Sequence, residues 1–324
     1  MRAVLCSTLT GPDALTVGEL PAPSPGPGEV AVDVHAAGLN FPDVLLTYGK
    51  YQFKPTPPFV PGGELAGVVA EVGAGVTRFA KGDRVAGTLL HGAFAERVVL
   101  PEAACVAIPA EIPFETAAAT LLTYVTTLHA LEDRAKLRAG ETMLVLGAAG
   151  GVGVAAIQLG KLLGARVLAA ASTDEKIAFC RARGADEGIV YTREDLKERA
   201  KALTSGRGVD VVYDAVGGAY SEAALRAIAW EGRHLVVGFA AGDIPKIPLN
   251  LALLKGCQIV GVFWGMFAMR EPERNRAHAE KVMAWVGEGK LSPHVDSVFP
   301  FDQAGAALRA MEARAVRGKV VLVP

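Results

Sequence analysis

The densest chemical signal in the sequence is a run of glycines, Gly147-Ala148-Ala149-Gly150-Gly151-Val152-Gly153. It lies between the apolar stretch Met143 to Leu146 and a helix-length segment carrying Ala155, Ala156, Ile157 and Leu159. Glycine lets a backbone turn sharply and approach a pyrophosphate, and the free N–H groups at a helix start stabilise its negative charge. Gly147, Ala148, Gly150, Gly151 and Val152 are therefore the candidate pyrophosphate contacts, while Gly153 and the alanines permit close packing of helix on sheet. Ala148 stands where the usual GxGxxG pattern has its first glycine. An ordinary strand-to-helix connection is the competing reading. The spacing of strand, turn, helix and following strand favours a dinucleotide.

The tip of the next strand, Val167 to Ala171, decides which dinucleotide. An Asp or Glu there would accept hydrogen bonds from a ribose 2′-hydroxyl. Instead the chain continues Ser172-Thr173-Asp174-Glu175-Lys176. Hydroxyls and an ammonium suit a 2′-phosphate, so NADPH is the expected cofactor, with Ser172 and Lys176 among its ligands. The alternative is that Ser172 and Glu175 form a helix capping box and Lys176 is a solvated surface residue. Asp174 reads as a first-turn helix residue in either case. Phe239, Phe263 and Trp264 follow further strand ends, where a doubly wound sheet presents its ligand crevice. Their backbone groups are candidates to hold a carboxamide; apolar core is the competing account.

These residues need a particular scaffold, and the rest of the chain supplies one. Residues 1–120 read as short strands broken by turns, such as Val30, Val32 and Val34 alternating with Asp33 and His35. Prolines 21, 23, 25 and 27 form an extended connector in this region. From about Leu121 the strands become apolar throughout, each followed by a helix-length segment, as in a parallel sheet covered on both faces. The strands are Met143–Leu146, Val167–Ala171, Val209–Tyr213, Leu235–Val237 and Ile259–Phe263, with Gly188–Tyr191 a weaker candidate. After Trp264 come a helix, a strand at Val295–Phe299, a helix from Asp302 and a last strand, Lys319–Val323. The expectation is an α/β protein: a Rossmann-type doubly wound parallel sheet, residues 121–264, inserted in a β-rich domain formed by 1–120 and 265–324.

Composition narrows the function. With 324 residues, 51% of them hydrophobic, two domains are expected, and 33 Lys and Arg against 34 Asp and Glu leave a net charge of −1. No basic patch points to nucleic acid, no apolar run reaches the length of a membrane helix, and no signal-peptide pattern opens the chain, so a cytoplasmic location is expected. Cys6, Cys105, Cys180 and Cys257 lie far apart and read as buried thiols. The six histidines, His35, His91, His129, His234, His278 and His294, show no ligand spacing, and no metal site is expected.

The glycine turn, together with Asn40-Phe41-Pro42-Asp43-Val44-Leu45, Val60-Pro61-Gly62-Gly63-Glu64-Leu65-Ala66-Gly67, Gly82-Asp83-Arg84-Val85, Val216-Gly217-Gly218, Leu254-Lys255 and Gly318-Lys319-Val320-Val321, resembles the zinc-free quinone oxidoreductase branch of the medium-chain dehydrogenase/reductase superfamily. The resemblance covers nearly the whole chain. It implies that the β-rich domain is GroES-like and binds substrate. It also implies that Asn40 and Asp43 lie near the nicotinamide ribose, that Thr123 contacts the nicotinamide, and that Lys176 and Tyr191 hold the 2′-phosphate. Zinc-dependent relatives carry a Cys near the Asn40 position and a His before the glutamate; this chain has Asn40 and Gly63. The resemblance also implies that subunits pair through the last strand of the nucleotide domain, here near Gly261 to Gly265, so a homodimer is expected. As the alternative to contacting a carboxamide, Phe263 and Trp264 would be residues of that interface.

Without zinc, the substrate must accept a hydride unaided, as quinones and other small conjugated carbonyls do. Tyr48, Tyr51 and Phe53 are candidates to line a flat pocket, Tyr51 also to orient or protonate the reduced oxygen; simple loop packing is the bland account. Two alternatives stay open: reduction of an enone or enoyl-thioester double bond, and a structural or RNA-binding role for a nucleotide-binding fold.

Overall fold

Runs of β-branched and other apolar residues, broken by glycine and proline, give fifteen strands, and the computed structural model describes all 324 residues. The chain divides into two compact units, one made of Met1–Leu122 with Ala268–Pro324 and the other of Thr123–Phe267.

In the first unit, Glu29–Gly38 is the central strand. It pairs antiparallel with Glu64–Val72, Arg97–Pro101 and Lys319–Val323. The sheet runs in the order Val295–Pro300, Lys319–Val323, Glu29–Gly38, Glu64–Val72, Arg84–Thr88, Cys105–Ala107. The final strand of the chain thus lies beside its third. Val30, Val32, Leu65, Val69, Val85, Phe94, Val320 and Leu322 form the buried core of this unit. Burying each such side chain contributes about 1.5–3 kcal/mol.

The second unit holds six parallel strands in the order Glu187–Val190, Arg166–Ala171, Thr142–Leu146, Val209–Asp214, Ile228–Val236, Gln258–Gly261. In chain order this is 3-2-1-4-5-6, the doubly wound arrangement. Its direction reverses between Thr142–Leu146 and Val209–Asp214, and the carboxyl ends of those two strands mark the switch point where such sheets bind ligands. No helix is long and apolar enough to cross a membrane.

Three elements differ from the sequence reading. The fifth parallel strand begins at Ile228, not Leu235: Val209 faces Ile228 while Val211 faces Arg233, a bulge with Glu231 at φ 59°, and the exposed Trp230 and Glu231 hide the strand's apolar pattern. The sixth ends at Gly261, which leaves Phe263 beyond it. The segment from Asp302 opens as a 3-10 turn, Phe301–Gln303, before the helix Ala304–Glu312.

Gly38 ends the central strand where the backbone of Ala118 comes close. A Cβ there would overlap the Ala118 carbonyl oxygen and lie 2.8 Å from Glu64 Oε2. Gly38→Ala should therefore cost about 1–3 kcal/mol in urea unfolding; an unchanged midpoint would show that the Ala118 carbonyl moves aside freely.

Candidate functional site

In the nucleotide-type unit the strand Thr142–Leu146 ends at Gly147, whose φ of 68° suits glycine, and a Cβ there would meet Val216 at 2.8 Å. Gly150 is the N-cap of the helix Gly151–Leu162, and no side chain caps that helix. Its first N–H groups, from Gly151 and Val152 onward, lack intrahelical acceptors, as at every helix start. Gly153 packs so tightly that a Cβ would overlap the Gly147 carbonyl and come within 2.6 Å of that of Ala148. Ala148 is fully buried, its N–H donating to Ala170. A glycine-rich turn ahead of a twelve-residue helix that no side chain caps fits a pyrophosphate.

At the neighbouring tip the helix Asp174–Arg181 is capped by Thr173, whose Oγ1 accepts from Lys176 N at 3.2 Å. The cap is one residue later than the box read from the sequence, so Ser172 is not the capping residue. Thr192 Oγ1 donates to the Ser172 carbonyl at 2.7 Å, and Tyr191 N donates to Ala171 at 3.1 Å. These bonds gather Ser172, Lys176 and Tyr191 at one end of the sheet. The Tyr191 ring lies 4.3 Å from that of Tyr220. Asp174 is engaged by both guanidinium nitrogens of Arg193, whose hydrogen bonds hold the carboxyl below its ordinary range.

The turn on the other side of the switch point is shaped by Asp214. Its Oδ1 accepts from Val216 N and Gly217 N, both at 2.9 Å; its Oδ2 accepts from Ser221 Oγ and faces His234 Nε2 at 3.1 Å. Burial pushes this carboxyl up, but the hydrogen bonds from His234, Gly217 and Ser221 outweigh it and hold the group low. Phe239 packs on the same turn, where a Cβ on Gly217 would meet its ring at 2.8 Å. Thr123 lies buried in the helix Leu121–Leu128, its carbonyl accepting from Thr127 Oγ1. Phe263 is 52% exposed beyond the edge strand, and Trp264 begins the helix Trp264–Arg270.

In the first unit Asn40, Asp43, Glu64 and Lys319 form a cluster, respectively 4%, 1%, 0% and 3% exposed. Lys319 Nζ donates to Asn40 Oδ1 at 2.6 Å, Leu39 O at 2.7 Å and Glu64 Oε2 at 2.9 Å. Asn40 Nδ2 donates to Glu64 Oε2 at 3.0 Å and to Gly38 O at 3.2 Å, while Glu64 Oε1 accepts from Leu122 N at 2.9 Å. Asp43, in the first turn of the helix Phe41–Thr47, accepts from Asn40 N at 2.7 Å. Burial pushes its carboxyl up to about 7, against the opposing pull of the Asn40 and Gly62 N–H groups and the Lys319 charge. Tyr51 is half-buried against Cys6, Leu46 and Phe59, and burial together with the Asp43 charge raises its hydroxyl. Phe53 stacks on His91, 6.2 Å between ring centres. Tyr48 instead bonds Glu312 at 3.3 Å and lies over Gly11. Chemically, this unit offers a carboxyl that holds a proton near neutrality close to a phenol that does not readily ionise.

Glu64, Lys319, Asp214 and His234 are absent from the sequence-derived candidates. The signal existed for three: Glu64 and Lys319 lie in the Val60–Gly67 and Gly318–Val321 segments, and Asp214 precedes Val216-Gly217-Gly218.

Residues 26–110 match the family described as alcohol dehydrogenase GroES-like domain, and residues 151–284 that described as zinc-binding dehydrogenase. The chain is 40% identical to quinone oxidoreductase-like protein 2 homolog of Nematostella vectensis, over 99% of this chain and 88% of that one. It is 37% identical to a quinone oxidoreductase of Pseudomonas aeruginosa, over 97% of each. The crystal structure of Escherichia coli quinone oxidoreductase complexed with NADPH superposes with a TM-score of 0.94 at 29% identity, covering both chains fully.

Because the folded Asp43 carboxyl keeps its proton up to about pH 7 while an unfolded aspartate titrates near 3.8, the folded state binds the extra proton between those values. The stability this group contributes is complete below the lower value and is lost as pH rises through the upper. Asp43→Asn fixes the neutral form, so the melting temperature of the wild type relative to this variant should fall as pH is raised from about 4 to about 8. A difference that stays constant across that range would contradict the buried neutral carboxyl.

Proposed function

The chain belongs to the quinone oxidoreductase branch of the medium-chain dehydrogenase/reductase superfamily, and we propose that it uses NADPH to reduce a quinone or a similar small conjugated carbonyl by hydride transfer, without zinc. The observation that carries this reading is the tip at Ser172. Lys176 and Tyr191 stand beside it, and Asp174, the first acid after the tip, is taken up by Arg193, so a 2′-phosphate meets a cation and hydroxyls there.

When bound, NADPH supplies the hydride. The protein's share is placement. The N–H groups of Gly151 and Val152 would hold the pyrophosphate, with Gly147, Ala148 and Gly150, whose N–H donates to the Gly147 carbonyl, forming the turn that admits it. Thr123 and the backbone at Phe239, Phe263 and Trp264 hold the nicotinamide end. In the first unit Tyr51 orients the substrate oxygen or delivers its proton, while Asp43 retains a proton behind it and Asn40 fixes the turn. The reading without zinc is supported by the donor set: no three His, Cys, Asp or Glu side chains gather as a metal site, and Asn40 and Gly63 replace the Cys and His of zinc-dependent relatives.

A homodimer accompanies this reading. The edge strand Gln258–Gly261 has a neighbour on one side only, and Ile259, Phe263 and Met269 lie exposed along it or just beyond. In sedimentation the wild type should run as a dimer and Ile259→Lys as a monomer; a monomeric wild type would remove the pairing.

Steady-state oxidation of NADPH and NADH across quinones, enones and enoyl-CoA thioesters tests the reaction itself. With quinones, kcat/KM for NADPH should exceed that for NADH by about tenfold or more, and Lys176→Ala should erase most of the difference, as expected for one charge-assisted contact. Equal use of both nucleotides would overturn the cofactor assignment, and faster turnover of enoyl thioesters would move the substrate to that class.

A further inference from the structure

We propose that Lys319 is a positioning residue of this reduction site: its buried ammonium fixes the Asn40 carboxamide and the Glu64 carboxylate in one arrangement, and with them the turn that carries Asp43. The inference rests on the reduction reading above and deepens it.

An ammonium has three donors, and all three of Lys319 find acceptors, at Leu39 O, Asn40 Oδ1 and Glu64 Oε2. This fixes the sense of the Asn40 side chain. Its oxygen faces the ammonium and its nitrogen faces Glu64 and Gly38; flipping the amide would aim N–H groups at the cation and set the amide oxygen against the Glu64 carboxylate and the Gly38 carbonyl. Asn40 N in turn binds Asp43, so the arrangement extends from the last strand to the proton-holding carboxyl. The register of that strand supplies the position: Val321 lies opposite Gly38, and Leu39 N donates to Val320 O, which brings Lys319 against the Asn40 turn.

Stability alone is a weak reason for such a pair. The cost of desolvating two charges about equals their attraction, and apolar substitutes of similar shape are often as stable or more so. What an apolar pair would not supply is a direction for Asn40. The ammonium is also the one cation bonded to this cluster, at Asn40 Oδ1 and Glu64 Oε2.

The test compares two double variants, both without the buried charges. Lys319→Met with Glu64→Gln removes the donor to Asn40; Lys319→Gln with Glu64→Gln restores an uncharged one. Both should bind NADPH in fluorescence titration with the wild-type dissociation constant. The Met variant should lose roughly ten- to a hundredfold in kcat with a quinone, the scale expected when a reacting group is displaced by about an ångström, and the Gln variant should recover most of that loss. A Met variant at wild-type kcat, or two variants with equal losses, would overturn the positioning role while leaving the reduction reading intact. If the Met variant does not fold, the Gln variant decides: a loss there as large as for an Asn40→Ala variant overturns the role. A wild type that oxidises NADPH with no quinone, enone or enoyl thioester would sink the reduction reading, and this role with it.

Discussion

A single ammonium ion buried among two carboxylates and an amide is the constraint around which the first unit is arranged. Lys319 must face Glu64 and Asn40 at hydrogen-bonding distance, because a charge this deep without partners would cost several kcal/mol. That requirement sets the register of the last strand against the central one and fixes the start of the helix Phe41–Thr47. It also draws the Leu122 amide onto Glu64. Two carboxylates and one cation leave the cluster one negative charge in excess. Asp43, whose burial outweighs its backbone N–H donors and the Lys319 charge, is the group that holds a proton near neutrality.

The second unit solves a different electrostatic problem with the same means. Asp214 lies at the switch point with a buried carboxylate, yet stays ionised because four donors surround it and bend the following turn through Gly217 and Gly218. The glycine turn across the switch point has no side chain capping its helix. The same unit thus uses a carboxylate to shape backbone at one turn and leaves the helix start uncapped at the other.

Much of this was legible in the sequence where the signal was local. Continuous apolar runs such as Thr142–Leu146 and Arg166–Ala171 announce buried parallel strands, and the glycine turn announces the helix start after them. Legibility failed where an exposed bulge interrupted the pattern, as at Trp230 and Glu231, and where adjacent hydroxyls competed for a cap, as at Ser172 and Thr173. It failed most fully for the charged cluster. Lys319 lies 279 residues from Asn40 and 255 from Glu64, and nothing in periodicity or composition links positions so far apart. Asp43 was singled out through the resemblance, but its proton affinity is a property of burial that no neighbouring residue reveals.

The sheet of the first unit has one further consequence, which lies in time. Its strand Lys319–Val323 is the last of that sheet to leave a ribosome, after the whole of Thr123–Phe267. Until it arrives, Glu64 and Asp43 face each other without their cation, and the central strand Glu29–Gly38 keeps an open edge at Ala37 and Gly38. The nucleotide-type unit, whose six strands pair only among themselves, has no such wait. Synthesis therefore favours an order in which the inserted unit folds first and the unit that encloses it in sequence closes last, when its counter-ion is delivered.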